Sequence, residues 1–334
     1  MVEKLSPGVG ADIGTMNIVS ARKTLKGVET RRIRDAFLEL PVEAKKMLKL
    51  TGVGYVERPN EILILGDAAL ETANIFGREA RRPLASGMIS SREGDALEIL
   101  ALLIKSVLGD PRVEKEHCYF SVPAAPMDQT DRDVIYHRGI LERIIRDCGY
   151  TPTAANEAMG IIYSETAKEG FSGIGISFGS GMVNVALALN TIEALSFSVA
   201  RGGDWIDHGA ATSIGSTQAR LCYLKEKGID LMAPKGREEE ALVFYYRSMV
   251  EYVLDQIALQ FGNIAHKFSA PKPIPMIVSG GTSKAGGFLD FFNMVFDRKR
   301  KKFPIEISEV RAAVDPLNAV AQGLLVQALQ EYAE

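Results

Sequence analysis

The alternation of apolar and polar positions begins close to the N-terminus. Val9, Ala11 and Ile13 alternate with Gly10 and Asp12, the two-residue period of a strand with one buried face. Gly14-Thr15-Met16-Asn17 breaks the alternation. Ile18, Ser20, Arg22 and Thr24 open a second strand, and Lys26-Gly27 turns into a third over Val28 to Arg34. The same design recurs half a chain later. Ile174 to Phe178 reads as a strand, Gly179-Ser180-Gly181 as a turn, and Val183, Val185, Leu187 and Leu189 as the returning strand. Asn190-Thr191 then turns into a third strand, Ile192 to Ser198. Asp12-Ile-Gly14-Thr15 aligns with Ser177-Phe-Gly179-Ser180, 165 residues further on. A supersecondary unit repeated at this distance predicts a duplicated architecture.

Between and after the copies, strand and helix patterns alternate. A short amphipathic helix is predicted over Pro41 to Leu50, a strand over Glu61 to Gly66, and a helix over Asp67 to Phe76. Gly77 to Pro83, with Arg78, Arg81 and Arg82, reads as a solvated basic loop. Ser90 and Glu93 form a capping-box pair ahead of a helix carrying Leu97, Leu100, Leu103, Ile104 and Val107, stopped by Gly109-Asp110-Pro111. Cys118 to Val122 is a buried-type strand ended by Pro123. Asp128 to Cys148 is a helix with Val134, Leu141, Ile144, Ile145 and Cys148 on one face, and Gly149 is its C-cap. Further helices are predicted over Glu157 to Lys168, from an Asp204 N-cap to near Gly228, over Arg237 to Phe268, and from Asp315, with Pro316 in its first turn. Pro275 to Ser279 is a buried strand that runs into the glycine-rich Gly280 to Gly287. This alternation predicts sheets flanked by helices.

The 334 residues suffice for two domains with sizeable cores. Hydrophobic and charged contents of 46% and 24% are those of a soluble globular protein. A net charge of −3 provides no overall attraction to nucleic acid, so none is expected as a direct partner. Cys118, Cys148 and Cys222 lack metal-ligand spacing and read as reduced structural cysteines of a cytoplasmic protein. No apolar run reaches the ~20 residues that span a bilayer, and Met1 to Gly8 has no signal-peptide core. Asp297 to Lys302 is a basic run that reads as a solvated loop.

The turns carry the candidate chemistry. A glycine turn of this kind aims backbone N–H groups and the Thr15 hydroxyl at one point, which suits a phosphate. Asp12, at the strand end, would repel a phosphate but suits a hydrated Mg²⁺. Two such hairpins facing each other across a cleft would grip a polyphosphate from both sides. Gly202-Gly203-Asp204 opens a helix whose N–H groups can face a ligand. The paired glycines Gly280 and Gly281 let a flat ring or phosphate approach the backbone. Glu157 suits either of two roles: a carboxylate that orients a water toward a terminal phosphate, or a first-turn glutamate favoured by the helix dipole.

Taken in order, these motifs resemble the actin-like ATPase superfamily, and within it the prokaryotic actins of the MreB and MamK kind. Asp12 to Asn17 is similar to the first phosphate motif, Ser177 to Val183 stands at the second, and Gly280 to Phe288 is similar to the adenosine motif. Asn156-Glu157-Ala158 and Asp315 to Gly323 resemble the two connecting helices. Arg82 to Ile89 and Gly202-Gly203-Asp204 also recur in MreB-like chains. The resemblance implies two facing α/β domains, each on a five-stranded sheet, around a nucleotide cleft. One would be residues 1–155, with a small insertion at about 35–80, completed by the helix at 315–334. The other would be residues 156–314, with an insertion at about 206–240. It further implies ATP or ADP with Mg²⁺ in the cleft, Asp12 holding the hydrated metal, and Glu157 positioning the attacking water. Gly14, Thr15, Met16, Asn17, Gly179, Ser180 and Gly181 would cradle phosphates. Gly203 and Asp204 would join the nucleotide site, and Gly280, Gly281 and Thr282 would line the adenosine pocket. The implied partner is the chain itself, in head-to-tail filaments, paired as protofilaments. Apolar residues within 38–50 and the loop around 228–237 are candidate contacts.

One position departs from the pattern. Where the superfamily usually has an aspartate, this chain has Ser177, so binding of ATP with slow or altered hydrolysis is expected. The competing readings are a small-molecule kinase of the same superfamily, which wants a carboxylate base that Ser177 does not supply, a chaperone-type nucleotide switch, and a nucleotide-binding adaptor that does not polymerise.

Overall fold

The computed structural model describes residues 6–90, 94–129, 134–264 and 273–333. The chain opens with β1 (Val9–Ile13), β2 (Asn17–Thr24) and β3 (Gly27–Arg34), an antiparallel meander in which Ile13 faces Ile18 and Asn17 faces Arg34. A small lobe follows: β4 (Phe37–Pro41), α1 (Lys45–Thr51), β5 (Val56–Glu57), β6 (Glu61–Leu65) and α2 (Asp67–Ile75). Its three strands pair in the order β4-β6-β5 over a separate apolar cluster around Leu40, Leu48, Ile62 and Ile64. A two-residue-stranded hairpin, β7 (Leu84–Ala85) and β8 (Met88–Ile89), leads to α3 (Ala96–Leu108), β9 (His117–Val122), α4 (Val134–Asp147), β10 (Thr151–Asn156) and α5 (Glu157–Glu165).

The second half repeats the plan with β11 (Gly173–Phe178), β12 (Val183–Leu189) and β13 (Ile192–Val199). It continues through α6 (Gly203–Ile214), α7 (Gln218–Gly228), α8 (Gly236–Ile264), β14 (Ile274–Ser279), α9 (Phe288–Lys299), β15 (Ile307–Ala312) and α10 (Ala319–Gln330). The two large sheets have the orders β10-β9-β1-β2-β3 and β13-β12-β11-β14-β15. Each combines an antiparallel meander with two parallel strands on the other side of its first strand. The expected duplication of a five-stranded sheet with flanking helices is therefore observed. Each sheet has its own core: Ile99, Leu103, Phe120 and Ile145 in the first, and Phe178, Val250, Ile257 and Phe292 in the second.

The lobes are joined by α5 and α10. These helices cross so closely that a Cβ at Gly323 would lie 1.7 Å from the Gly160 carbonyl oxygen. The contact of each helix with a sheet is equally close. A Cβ at Gly10 of β1 would lie 2.0 Å from Ala321 O of α10, and one at Gly175 of β11 would lie 2.4 Å from Ala158 O of α5. Gly10 and Gly175 are separated by the same 165 residues as Asp12 and Ser177, so the repeat extends to the glycines that let helices sit on the sheets.

Several expectations are corrected. The helix expected from Asp204 to Gly228 is two helices. Gly215 (φ +73°) closes α6 in the left-handed conformation, and Thr217 caps α7 by accepting the Arg220 N–H. The N-cap of α6 is Gly202, with Asp204 in the first turn. The last helix begins at Ala319. Before it, the Asp315 carboxylate binds Leu317 N–H and Asn318 Nδ2, holding Pro316 in a turn outside the helix. The helix from Glu157 ends at Glu165, and Ala167–Glu169 is a 3₁₀ turn. Asp128 lies outside α4, where its carboxylate accepts the Ala200 N–H. On α3, Leu97 is exposed and Ile99 is buried in its place, and His137 joins the buried stripe of α4. Glu93 of the capping pair, and residues 265–268 at the end of the expected long helix, lie outside the described residues. The segment read as a solvated basic loop is engaged: Arg81 stacks on Phe37 and pairs with Glu39, and Arg82 pairs with Asp204.

The crossing makes a clear prediction. Adding a methyl at Gly323 forces α5 and α10 apart, and overpacking of this kind costs about 1–3 kcal/mol or more. Gly323→Ala is expected to lower the denaturant midpoint accordingly, while Gly139→Ala on the open face of α4, where a Cβ meets nothing within 4 Å, is not. Equal midpoints for the two variants would contradict this packing.

Candidate functional site

The two glycine turns have matching geometry. Gly14 N–H donates to Asn17 O at 3.1 Å, and Gly179 N–H donates to Met182 O at 3.0 Å. They face each other across a cavity of about 500 Å³ between the lobes, a volume suited to a small-molecule ligand. Gly14, Thr15, Met16 and Asn17 line it from the first lobe, and Gly179, Ser180, Gly181 and Gly203 from the second. Gly280, Gly281 and Thr282 line the part nearest α7 and α9, and Asp12 and Glu157 line the floor. Asp204 does not line the cavity; its carboxylate is bound to Arg82 and Ser180. Nor are the first N–H groups of α6 free for a ligand. Gly203 N–H donates to Gly179 O and Asp204 N–H to Ser180 O, fastening the helix to the second hairpin.

The order of the strands sets up the floor. Asp12 ends β1 and Ser121 stands near the end of the neighbouring parallel strand β9, so Ser121 Oγ donates to Asp12 Oδ1 at 2.8 Å and accepts the Ile13 N–H. Glu157 opens α5, whose N-cap Asn156 accepts the Ala158 and Met159 N–H groups. Across the cleft, Asn184 of β12 sits opposite Ser177 of β11. Asn184 Oδ1 accepts the Ala124 N–H and Nδ2 donates to Glu157 Oε2 at 2.8 Å. With its oxygen fixed by a backbone donor, the amide presents its nitrogen to Glu157. Ser177 is buried, lines the same cavity and pulls the Glu157 carboxyl down. Burial, with the nearby Asp12 charge added, pushes Glu157 up to about 8, against the pull of Ser177. Burial likewise raises Asp12 to about 6, against the Ser121 hydrogen bond. Two carboxyls close enough to feel each other's charge, with the Ser121 and Ser177 hydroxyls also lining the cavity, form a hard oxygen donor set that fits Mg²⁺.

The sequence patterns did not reveal several of these residues. Lys225 of α7 donates to Gly203 O at 3.0 Å and pairs with the buried Asp207 at 2.9 Å. Burial raises Asp207 to about 6 while Lys225 pulls it down. Glu226 beside it pairs with Arg34 of the opposite lobe at 2.8 Å. Ser121, Asn184, Lys225 and Glu226 all line the cavity. Ser121 and Asn184 left a trace in the chain, each as a polar residue in an otherwise buried-type strand.

A family model described as volactin matches residues 8–328. The chain belongs to the volactin family. No curated protein sequence matches it. Its fold is that of the actin-like ATPase superfamily, of the MreB and MamK type. The solved MamK double helical filament superposes with a TM-score of 0.72 at 18% identity, over 96% of this chain and 98% of that one. MreB5 of Spiroplasma citri bound to AMPPNP gives 0.67 at 15% identity, over 98% of both chains. The ethanolamine utilization protein EutJ of Carboxydothermus hydrogenoformans gives 0.56 at 15% identity, over 98% of this chain and 92% of that one. The similarity to filament-forming actin-like proteins is therefore one of fold, and the volactin-family cleft has to be read from its own residues. No described helix is long and apolar enough to cross a membrane.

The floor carboxyls predict how the ligand-free protein responds to pH. Glu157 at about 8 stands above its ordinary 4.5, and Asp12 at about 6 above its ordinary 3.8. Between these values the folded state binds more protons than the unfolded one, so stability falls as pH rises. Without nucleotide or metal, the unfolding temperature is expected to drop between pH 6 and pH 8.5. Glu157→Gln, which cannot ionise, should flatten that slope; an unchanged slope would rule out a protonated Glu157.

Proposed function

We propose that this volactin-family protein binds ATP with Mg²⁺ in the cleft and assembles head to tail into filaments whose formation follows nucleotide state. The observation that carries this reading is the pair of matching glycine hairpins, turned toward each other over one cavity with two carboxyls on its floor. The hairpins offer backbone N–H groups and the Thr15 hydroxyl to phosphates. Gly280, Gly281 and Thr282, with Lys225 and Glu226 opposite, bound the space for the nucleoside. Asp12 would hold the hydrated Mg²⁺, whose charge offsets that of the phosphates. Thr282 Oγ1 donates to Gly179 O, so the nucleoside side and the second hairpin move together. The bilobal unit divides into residues 1–155 with 315–334, and 156–314. The relatives whose descriptions name a filament and a bound AMPPNP support the reading by fold. A heterologous contact repeated without closure gives an open filament.

For hydrolysis, Glu157 orients the water and Asn184 fixes the direction of the Glu157 carboxyl. Ser177 stands where a third carboxylate would complete the site, and a hydroxyl neither takes up a proton from water at neutral pH nor adds a charge. Slow turnover follows.

Two measurements test this. Sedimentation and negative-stain imaging should show polymer with Mg-ATP and with a non-hydrolysable analogue; a chain that stays monomeric at high concentration with either would refute the filament. In phosphate-release assays, Glu157→Ala should lower turnover by about a hundred-fold, and Ser177→Asp should raise it. Brisk release by the wild type, matched by Ser177→Asp, would remove the role given to Ser177.

A further inference from the structure

Behind the second phosphate hairpin, three side chains tie the lobes together. Arg82 belongs to the first lobe and stands just before β7. Its two terminal nitrogens donate to the Asp204 carboxylate of α6 at 3.3 and 3.0 Å. The first also lies 3.4 Å from Ser180 Oγ. Ser180 Oγ in turn donates to Asp204 Oδ1 at 2.7 Å. Ser180 is the middle residue of Gly179-Ser180-Gly181, so its hydroxyl is committed to the clasp and only its backbone is left for a phosphate. Asp35, fully buried in the first lobe, anchors the start of the same segment by accepting the Leu84 N–H.

Past Arg82, the β7–β8 hairpin turns at Ser86 and Gly87, with φ of +49° and +79°. Its tip is wedged between the two phosphate turns. Gly87 N–H donates to Thr15 Oγ1 of the first turn at 2.9 Å. A Cβ at Gly181 of the second turn would lie 2.1 Å from Gly87 N and 2.5 Å from Thr15 Oγ1. Both phosphate turns and the hairpin tip therefore meet at a point too tight for a methyl group. Arg82 closes this junction from behind with a fork-shaped, charge-assisted contact, the strongest kind of hydrogen-bonded pair.

We propose that Arg82 is a positioning residue for the nucleotide. Its clasp on Asp204 and Ser180 holds the second hairpin in its phosphate-receiving shape only while the lobes are closed, so binding of a triphosphate and lobe closure become one equilibrium. This rests on the ATP reading above. A triphosphate reaches both hairpins and favours the closed state, whereas a diphosphate makes fewer contacts with them. A ligand shifts such an equilibrium only by its difference in affinity for the two states, so Arg82 sets the preference for ATP over ADP. A merely structural staple would leave that preference alone.

The test compares binding of fluorescent ATP and ADP analogues, with Mg²⁺, to the full chain and its variants, together with amide hydrogen exchange of residues 84–89. Arg82→Ala is expected to weaken ATP binding about ten-fold and ADP binding much less. Asp204→Ala should add little in the Arg82→Ala background, because the two act as one unit. Arg82→Lys, which keeps the charge but not the fork, should fall between. ATP should slow exchange at 84–89 in the wild type and not in Arg82→Ala. If Arg82→Ala does not fold, Asp204→Asn carries the same comparison at constant side-chain size. Equal losses for ATP and ADP, or none for either, would overturn the role of Arg82 while leaving nucleotide binding intact. A wild type that binds neither nucleotide would overturn the ATP reading and this inference with it.

Discussion

The structure depends on how closely two helices can approach. α5 and α10 cross with Gly160 against Gly323, and each lies on a sheet through another glycine, Gly175 or Gly10. No residue with a side chain fits at these contacts, because the neighbouring atoms are backbone and cannot move aside. Interiors are packed too densely for such a clash to be absorbed locally. The crossing fixes where the first strands of the two sheets, β1 and β11, stand relative to each other. It therefore fixes the separation of the two glycine hairpins, which are continuous with those strands. The cleft is a consequence of this packing.

Within that frame the floor is an electrostatic compromise. Asp12 and Glu157 come from different elements and face the same space, and burial raises both. Asn184 and Ser121 hold them in place with hydrogen bonds instead of charge, and Ser177 adds no charge beside them. A third carboxylate at Ser177 would have added repulsion to a site already short of solvent. With serine there, the floor carries one charge fewer.

The lobes are tied at several further places besides the helices. Arg82 reaches Asp204, Arg34 reaches Glu226, and the segment after β9 pairs with the edge of β13 through Pro126 and Ser198. These ties sit on different sides of the cavity. The α5–α10 crossing is the apolar contact between the lobes, and these ties are polar ones beside it. Ion pairs of this exposure contribute little to overall stability.

The chain by itself determined the repeat, the two glycine hairpins and the periodic helices α3, α4 and α8. Each of these is written in the local alternation of apolar residues and in turn residues whose conformational preferences act over a few positions. It also placed Asp12, Glu157 and the glycines of both hairpins at the ends of their strands and helices, and all of them border one cavity. The edge strands β10 and β15 were not legible, because they bury little on either face and owe their form to backbone pairing with a neighbour. Nor were the pairings of Asn184, Lys225 and Arg82, whose partners Glu157, Asp207 and Asp204 stand 18 or more positions away. Arg82 in particular, although it heads a segment similar to one in MreB-like chains, read by itself as one more charge in a solvated loop. Only the tertiary structure set it opposite a carboxylate of the other lobe, because a contact between distant segments leaves no period in the sequence of either.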